Sequence, residues 1–377
     1  MRFAIMESVV TPGGHEIDFD RILVEELTAL GHSVEFYVPT GHEFKWNYGV
    51  PVHHLPGSGV SYRGTRGLKK LALSLKRELH RQGWYRALHT YALSRAFDAV
   101  IFPSATYRYL RALRFNPLRH SPVPVLFLIH GATPSEAQLL KRAAQRVAKY
   151  PHIRIGVQTF AADKLQLNGD NMRLYAPPNY IPRDISPNDY QNKTKVLRLG
   201  FFGQYRREKK LEPFLDAFAG AKFNRAVRLI VQGATQTPED AAAFADIMTK
   251  YRHVSTMEFW ANPLIGVEWQ KALAGIDAIV IAYGGERYRY HTSALISNAM
   301  GYQKPILAVD NVNPEILAQY KIGLAFPAED DATMRHILED FVNNFDEQRN
   351  TYKQELARTY RDFSPMRMAE NIVALAQ

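Results

Sequence analysis

The amino-acid sequence predicts an α/β protein built from two Rossmann-like domains that face a central cleft. Strand patterns alternate with amphipathic helix patterns through both halves of the chain, which is typical of parallel sheets covered by helices. A chain of 377 residues is too long for a single ordinary core. Between the halves, residues 176–189 hold four prolines and show little periodicity, so the connection between the domains is expected there.

The first half contains a βαβ unit followed by three more strand patterns. Apolar residues at helical spacing end at Gly31, between two short apolar runs. The predicted elements are strand 2–8, turn 11–14, helix 19–30 and strands 33–38, 98–103, 123–130 and 153–159. Residues 1–180 are therefore predicted to form the N-terminal domain, and residues 181–194 the linker.

The second half repeats the same alternation. Its predicted strands are 196–202, 227–232, 255–260, 278–283 and 306–309, and its predicted helices are 211–219, 238–251, 268–274 and 293–300. Residues 195–362 are predicted to form the C-terminal domain. Ligands of such sheets bind at the carboxyl ends of the strands, so functional residues are expected in the loops that follow the strands.

Composition limits the function classes. Hydrophobic residues make up 46% of the chain and charged residues 22%, as in soluble globular proteins. The absence of cysteine excludes disulfides, thiol catalysis and cysteine-ligated metals, and it fits a cytoplasmic location. The first residues enter a strand pattern without the layout of a signal peptide, and no apolar run approaches the roughly 20 residues of a membrane span.

A basic cluster follows the first strand of the second half. The strand runs into Gly203 and is followed by Gln204, Arg206, Arg207 and Lys209, which are predicted to open a helix. Basic residues oppose the dipole at the start of a helix, so their presence favours a bound anion over an ordinary exposed turn.

A second junction of the same half carries free hydroxyls. His291, Thr292 and Ser293 precede a helix whose free N–H groups favour a bound phosphate. The alternative is a simple N-cap by Thr292 or Ser293, and the two roles are compatible. Together the two junctions predict an anion pocket suited to a diphosphate.

The chain resembles GT-B fold glycosyltransferases, above all the bacterial glycosyl transferases of group 1 (family 4). The residues that carry the resemblance are Thr11-Pro12-Gly13-Gly14-His15, Leu30-Gly31-His32, Lys209, Ala299-Met300, Lys304-Pro305-Ile306-Leu307-Ala308 and the helix after Phe363-Ser364-Pro365. The family usually has arginine where this chain has Gln204, and two glutamates where it has Tyr290 and Asn298. Glu286, the only acid nearby, could accept hydrogen bonds from the sugar or ribose hydroxyls of the donor, with a solvated loop acid as the alternative. The resemblance implies that helix 363–377 returns to the first domain.

The resemblance also implies roles for N-terminal residues. Gly13 and Gly14 allow close approach of the backbone to the donor, with a plain tight turn as the alternative. In relatives, a histidine in this loop or at the end of a later strand lies at the reacting sugar, and His15 and His130 occupy those positions. Glu16 is a further candidate for the base. A structural role is the alternative for each of these side chains.

The net charge of +10 is concentrated in one segment. Residues 63–119 contain 13 lysines and arginines but only two acids. Within it, Lys69, Lys70, Lys76 and Arg77 interleave with apolar residues, Leu68, Leu71, Leu73 and Leu75. This pattern indicates a helix at a membrane interface or an acceptor site, with a solvated helix packed on the sheet as the alternative.

The sequence therefore predicts a glycosyltransferase that uses a UDP- or GDP-linked sugar and needs neither a metal nor another cofactor. The resemblance implies a glycolipid, lipid-linked oligosaccharide or polysaccharide acceptor at the inner face of the cell membrane, as in lipopolysaccharide or exopolysaccharide biosynthesis. An anionic membrane surface is an expected partner. Two alternatives stay open, a GT-B fold sugar-nucleotide epimerase and a non-catalytic basic protein that binds nucleic acid.

Overall fold

The computed structural model describes residues 1–8, 15–60, 67–187 and 195–377. The chain divides into two compact units: unit 1 is Met1–Pro177 with Pro365–Gln377, and unit 2 is Pro178–Ser364. The predicted turn with Gly13 and Gly14 lies outside the described residues, as does residue Arg63 at the start of the basic segment.

Unit 1 is built on a seven-stranded sheet. Its strands are β1 Arg2–Met6, β2 Ser33–Thr40, β3 Val52–Ser58, β4 Ala99–Phe102, β5 Val125–His130, β6 Ile153–Gln158 and β7 Met172–Tyr175. Their order is β3-β2-β1-β4-β5-β6-β7, and every neighbouring pair is parallel. The helices are α1 Glu16–Ala29, α2 Gly67–Leu93, α3 Tyr107–Ala112, α4 Pro134–Val147 and α5 Ala162–Leu165.

Unit 2 repeats the plan with six parallel strands. These are β8 Leu197–Phe201, β9 Val227–Gln232, β10 Met257–Trp260, β11 Ala278–Ile281, β12 Ile306–Val309 and β13 Gly323–Phe326, in the order β10-β9-β8-β11-β12-β13. The helices are α6 Leu211–Gly220, α7 Pro238–Tyr251, α8 Val267–Ala274, α9 Glu286–Tyr290, α10 Ala294–Tyr302, α11 Pro314–Gln319, α12 Asp331–Asn343 and α13 Phe345–Asp362. The last helix, α14 Pro365–Ala376, belongs to unit 1 and packs against α1, β5, β6 and β7.

Several inner strands are continuous apolar runs, as is typical of parallel sheets whose two faces are covered. All four residues of β4, β11 and β12 are buried. The carboxyl ends of parallel strands meet at one edge of a sheet, and the strand order reverses between β1 and β4 and again between β8 and β11. Binding sites of open α/β sheets form at such points, so a ligand site is expected at the loops after these four strands.

Three strands were missed from the sequence, namely β3, β7 and β13. All three lie at an edge of their sheet, where one side has no neighbouring strand. β3 contains Pro56 and Gly57 and is largely exposed. Edge strands need no continuous apolar run and tolerate proline, so they lack the sequence signal of a central strand.

The helix α2 is 27 residues long and is packed over only part of its length. Its buried residues begin at Arg81 and continue with Trp84, Tyr85 and Leu88, whereas residues 67–76 are exposed apart from the half-buried Leu73. No helix in the described ranges is both long enough and apolar enough to cross a bilayer.

Candidate donor and acid/base sites

The loop after β8 forms a tight, internally bonded turn. Gly203 has a φ of 118°, a conformation that favours glycine, and its N–H donates to Gln232 Oε1 at 2.8 Å. Gln204 pairs with Ala234 next to β9, and its side-chain oxygen accepts from Arg206 Nη2 at 3.2 Å. The turn therefore presents Arg206 at the carboxyl end of the sheet of unit 2.

The basic cluster precedes a helix instead of opening it. Arg207–Lys209 form a short 3-10 turn, Lys210 adopts a left-handed conformation, and α6 begins only at Leu211 with Glu212 in its first turn. The expected conflict between the basic residues and the helix dipole was wrong, because none of them lies in the first turn of α6. The anion argument rests instead on where Lys209 points.

Lys209 lies over an aromatic ring that sequence reasoning missed. Its Nζ is 4.3 Å from the centroid of Tyr283, which follows β11, and 5.9 Å from the centroid of Phe201 in β8. The buried Tyr283 hydroxyl lies 3.1 Å from Ser293 Oγ, and burial raises the pKa of this tyrosine. Tyr283 thus connects the predicted lysine of one junction with the predicted serine of the other.

The start of α10 is capped from a third junction. Ser293 occupies the N-cap position, but its side chain makes no capping bond. Its N–H donates to Asn313 Oδ1 at 2.9 Å, while Asn313 Nδ2 donates to the His291 carbonyl at 3.1 Å. Simple capping by Thr292 or Ser293, the alternative from the sequence, is wrong. The Ser293 hydroxyl is directed to Tyr283 instead.

The other residues predicted to bind the nucleotide-sugar donor differ in their burial. Asn298 is buried in α10, and neither its amide oxygen nor its amide nitrogen has a hydrogen-bond partner among the described residues. Thr292 Oγ1 is likewise buried without a partner in the described ranges. Glu286 is exposed at the start of α9, and Arg207 is exposed with its N–H 3.4 Å from Asp240 Oδ1. The structure therefore groups Lys209 with Ser293 but leaves Arg207 and Glu286 at the surface.

In unit 1 the two candidate histidines are in contact. His130 ends β5, and its ring meets that of His15 edge-on with centroids 4.9 Å apart. The ring of Phe19 in α1 packs on His130 at 4.5 Å. His130 Nε2 lies 2.8 Å from the Pro103 carbonyl, which can only accept, so Nε2 carries the proton and Nδ1 the lone pair of the neutral ring.

The acids near these histidines differ in their surroundings. Glu16 Oε1 lies 3.8 Å from His15 Nδ1 at the start of α1. Asp20, one turn further, is buried at 2% exposure, and burial raises the pKa of its carboxyl well above the usual range, with Glu7 and Glu16 adding to the shift. Sequence reasoning missed Glu7 and Asp20. The available signal was an acid at a buried helical position, directly after Phe19.

The predicted membrane-binding cations lie on the first part of α2. Lys69, Lys70 and Lys76 are exposed, and Arg77 is half-buried.

No three histidine, aspartate or glutamate side chains gather into a metal-binding group within the part of the chain that the structure describes.

Comparison with known proteins shows similarity in three dimensions without similarity in sequence. Neither a protein-family model nor a curated protein sequence matches the chain. HepE from Anabaena, solved with UDP and glucose, is 12% identical with a TM-score of 0.65 over 99% of this chain and 98% of that one. Sucrose-phosphate synthase from Thermosynechococcus elongatus is 14% identical with a TM-score of 0.67 over 99% and 98%.

A third similar structure is WaaG, a glycosyltransferase involved in lipopolysaccharide biosynthesis. It is 15% identical, with a TM-score of 0.60 over 98% of this chain and 99% of that one. Because the match spans both parallel sheets, the chain has the GT-B fold, and the predicted fold class is confirmed.

Proposed function

We propose that this GT-B fold protein is a glycosyltransferase that moves a sugar from a nucleotide-diphosphate sugar to a membrane-associated acceptor. The observation that carries the proposal is the grouping of Lys209, Tyr283 and Ser293 at the carboxyl ends of β8 and β11. This is the edge of a parallel sheet where ligands bind. The HepE structures contain UDP or UDP-glucose on the same fold, which supports a nucleotide-sugar donor here.

The chemistry requires a cation where the leaving diphosphate gains charge. When the bond between the sugar and the diphosphate breaks, negative charge grows on the phosphate oxygens, and groups fixed beside them stabilise the transition state. The ammonium of Lys209 is held by the face of Tyr283, with Arg206 on the neighbouring turn. We assign leaving-group stabilisation to these side chains, with Ser293 acting through its contact with the Tyr283 hydroxyl, and the proposed reaction uses no metal ion or other cofactor.

The acid/base role falls to the histidine pair of unit 1. His130 has its Nε2 proton committed to a backbone carbonyl, so Nδ1 is the ring atom that can accept a proton. His15 and Glu16 adjoin it on the side of α1. The surroundings of His130 therefore favour it as the group that acts on the reacting hydroxyl.

The acceptor belongs to the finer part of the proposal. We propose a glycolipid, lipid-linked oligosaccharide or polysaccharide, at the inner face of the cell membrane, in a pathway such as lipopolysaccharide or exopolysaccharide biosynthesis. Support comes from the exposed lysines of α2, which suit an anionic membrane surface, and from the fold shared with WaaG.

A transfer assay tests the function. The purified protein is incubated with radiolabelled UDP- and GDP-sugars and a bacterial lipid extract, and the organic phase is counted. The proposal expects label to enter the lipid fraction from at least one donor, with release of the nucleoside diphosphate. Conversion of the donor sugar to an epimer without any lipid would instead support a GT-B epimerase. Absence of both reactions would contradict an enzyme of either kind.

A further inference from the structure

The first part of α2 carries a row of exposed leucines. Leu68, Leu71, Leu75 and Leu79 are 85%, 68%, 63% and 63% exposed. They recur at intervals of three or four residues and so share one face of the helix, which is called here the leucine face. The sequence pattern had included Leu73 in place of Leu79. Leu73 is half-buried and lies on another side of the helix.

A fifth exposed apolar side chain is tied to the end of this face. Phe115 is 81% exposed, and Arg114 lies over its ring at 4.9 Å. The next residue, Asn116, donates through its side-chain nitrogen to the side-chain oxygen of Gln82 at 2.7 Å and to its backbone carbonyl at 3.1 Å. Gln82 follows Leu79 by one helical turn, so these bonds hold the chain beside Phe115 next to the end of the leucine face.

Positive charge occupies other sides of the same helix segment: by helical spacing, Lys69 and Lys76 border the leucine face, and Lys70 and Arg77 lie nearly opposite it. Residues 67–79 contain Lys69, Lys70, Lys76 and Arg77 but only one acid, Glu78. The ion pair of Glu78 with the buried Arg81 offsets that one negative charge. Lys69, Lys70 and Lys76 take part in no ion pair among the described residues. An apolar strip flanked by exposed lysines is the layout of a helix that lies in the surface of an anionic bilayer.

We propose that the leucine face inserts into the acyl region of an anionic lipid membrane, with the flanking lysines at the headgroups. The inference extends the proposed function by naming the surface that brings the enzyme to its acceptor. A second copy of the chain is a less suitable partner for the leucine face. Pairing two such helices would bring their like charges together. The segment of 13 residues is about 20 Å long and about 10 Å wide, so it buries much less than the roughly 800 Å² per partner of a stable dimer.

Site-specific labelling tests the insertion. The chain contains no cysteine, so Leu75→Cys in the full-length protein takes a single environment-sensitive fluorophore. Ser74→Cys is the matched control, because it is the neighbouring exposed position outside the leucine face. With phosphatidylglycerol–phosphatidylcholine vesicles, we expect a blue shift and quenching by brominated acyl chains at position 75 and a much weaker response at 74. Equal responses at the two positions would overturn the proposal.

Vesicle sedimentation of unlabelled variants separates insertion from simple attraction of charges. Leu71→Ser with Leu75→Ser should lower partitioning about tenfold or more even in high salt, because the apolar contribution is not screened. Lys69→Gln with Lys70→Gln should lower it mainly in low salt. Unchanged partitioning of the leucine variant would contradict insertion, as would light scattering that shows dimers of the wild type but monomers of that variant.

Nucleotide binding by the same preparations distinguishes this inference from the proposed function. If position 75 inserts but no nucleotide diphosphate binds, the membrane surface stands and the glycosyltransferase proposal fails. If nucleotide binds and lipid transfer proceeds but position 75 stays in water, the function stands and the leucine face has been misassigned.

Discussion

The hydrogen bond from His130 Nε2 to the Pro103 carbonyl determines that Nδ1 is the ring nitrogen able to accept a proton. Glutamine places its side-chain nitrogen near the position of Nε2 but offers nothing at Nδ1. We therefore expect His130→Gln to keep the fold and the affinity for nucleotide, yet to lose about 100-fold or more in transfer rate, the lower end of acid–base effects. Rates are measured with saturating donor.

The matched change at the neighbouring ring is His15→Gln. If His130→Gln retains the wild-type rate while His15→Gln loses it, the base is His15. Wild-type rates for both variants would remove the histidine pair from the mechanism and leave Glu16 as the next candidate.

The burial of Asp20 predicts that the stability of the folded protein depends on pH. Its carboxyl is buried beside Glu7 and Glu16, and these surroundings raise its pKa above the unfolded value. The folded state therefore holds more protons than the unfolded state above about pH 4, and its stability falls as the pH rises through the folded pKa of Asp20. Asp20→Asn, which is neutral at every pH, should raise the melting temperature at pH 7–8 but not near pH 4.

Thermal unfolding of both proteins across that pH range measures the effect. Glu43→Gln, at an exposed acid of the same unit, is the control and should leave the pH dependence of the wild type unchanged. A wild type whose stability does not fall towards alkaline pH relative to Asp20→Asn would show that Asp20 is ionised in the folded protein.

At the scale of elements, the position of α10 depends on close packing against the chain that enters unit 2. The Tyr180 N–H donates to the Ser297 carbonyl at 2.9 Å. A Cβ added to Gly301 would lie 3.0 Å from the backbone of Tyr180 and Ile181. Glycine is needed here for the approach of two backbones. The same helix places Ser293 at the candidate donor site, so its packing and the site are coupled.

Gly301→Ala should therefore destabilise the protein by about 1–3 kcal/mol, the usual cost of overpacking, and also weaken nucleotide binding. Better helix propensity offsets only about 1 kcal/mol of that cost. Gly169→Ala is the control, because its added Cβ meets its nearest neighbour at an ordinary 3.5 Å. Chemical denaturation measures the difference. Equal stability of the two variants would show that α10 can shift without cost.

At the scale of the whole molecule, the central strands and helices could be predicted from the sequence better than the edge strands of the two sheets. The bounds of β9, α7 and β12 were predicted to the residue, because strong apolar periodicity and clear helix signals mark them. The edge strands β3, β7 and β13 lacked that signal. Their pairing depends on neighbours that are distant in sequence, which local patterns do not record.

The candidate sites divide in the same way. Lys209, Ser293 and His130 could be proposed from the sequence because each lies in a loop or at a strand end that the βα alternation reveals. Tyr283 and Asn313 were missed because their roles exist only when separate junctions meet in the fold. The sequence left the exposure of the leucine face open between an interfacial helix and one packed on the sheet, since a periodic row of leucines ordinarily indicates a buried face.

The central claim is that unit 2 binds a nucleotide diphosphate beside Lys209. Isothermal titration calorimetry with UDP and GDP tests it directly, on the wild type, Lys209→Met and the adjacent Lys210→Gln. Both substitutions remove one positive charge, but only Lys209 lies over Tyr283. We expect Lys209→Met to weaken binding by about 1–3 kcal/mol, the scale of a charge-assisted hydrogen bond, and Lys210→Gln to bind as the wild type does. Equal affinities of the three proteins, or no binding of any nucleotide diphosphate to the wild type, would contradict the claim.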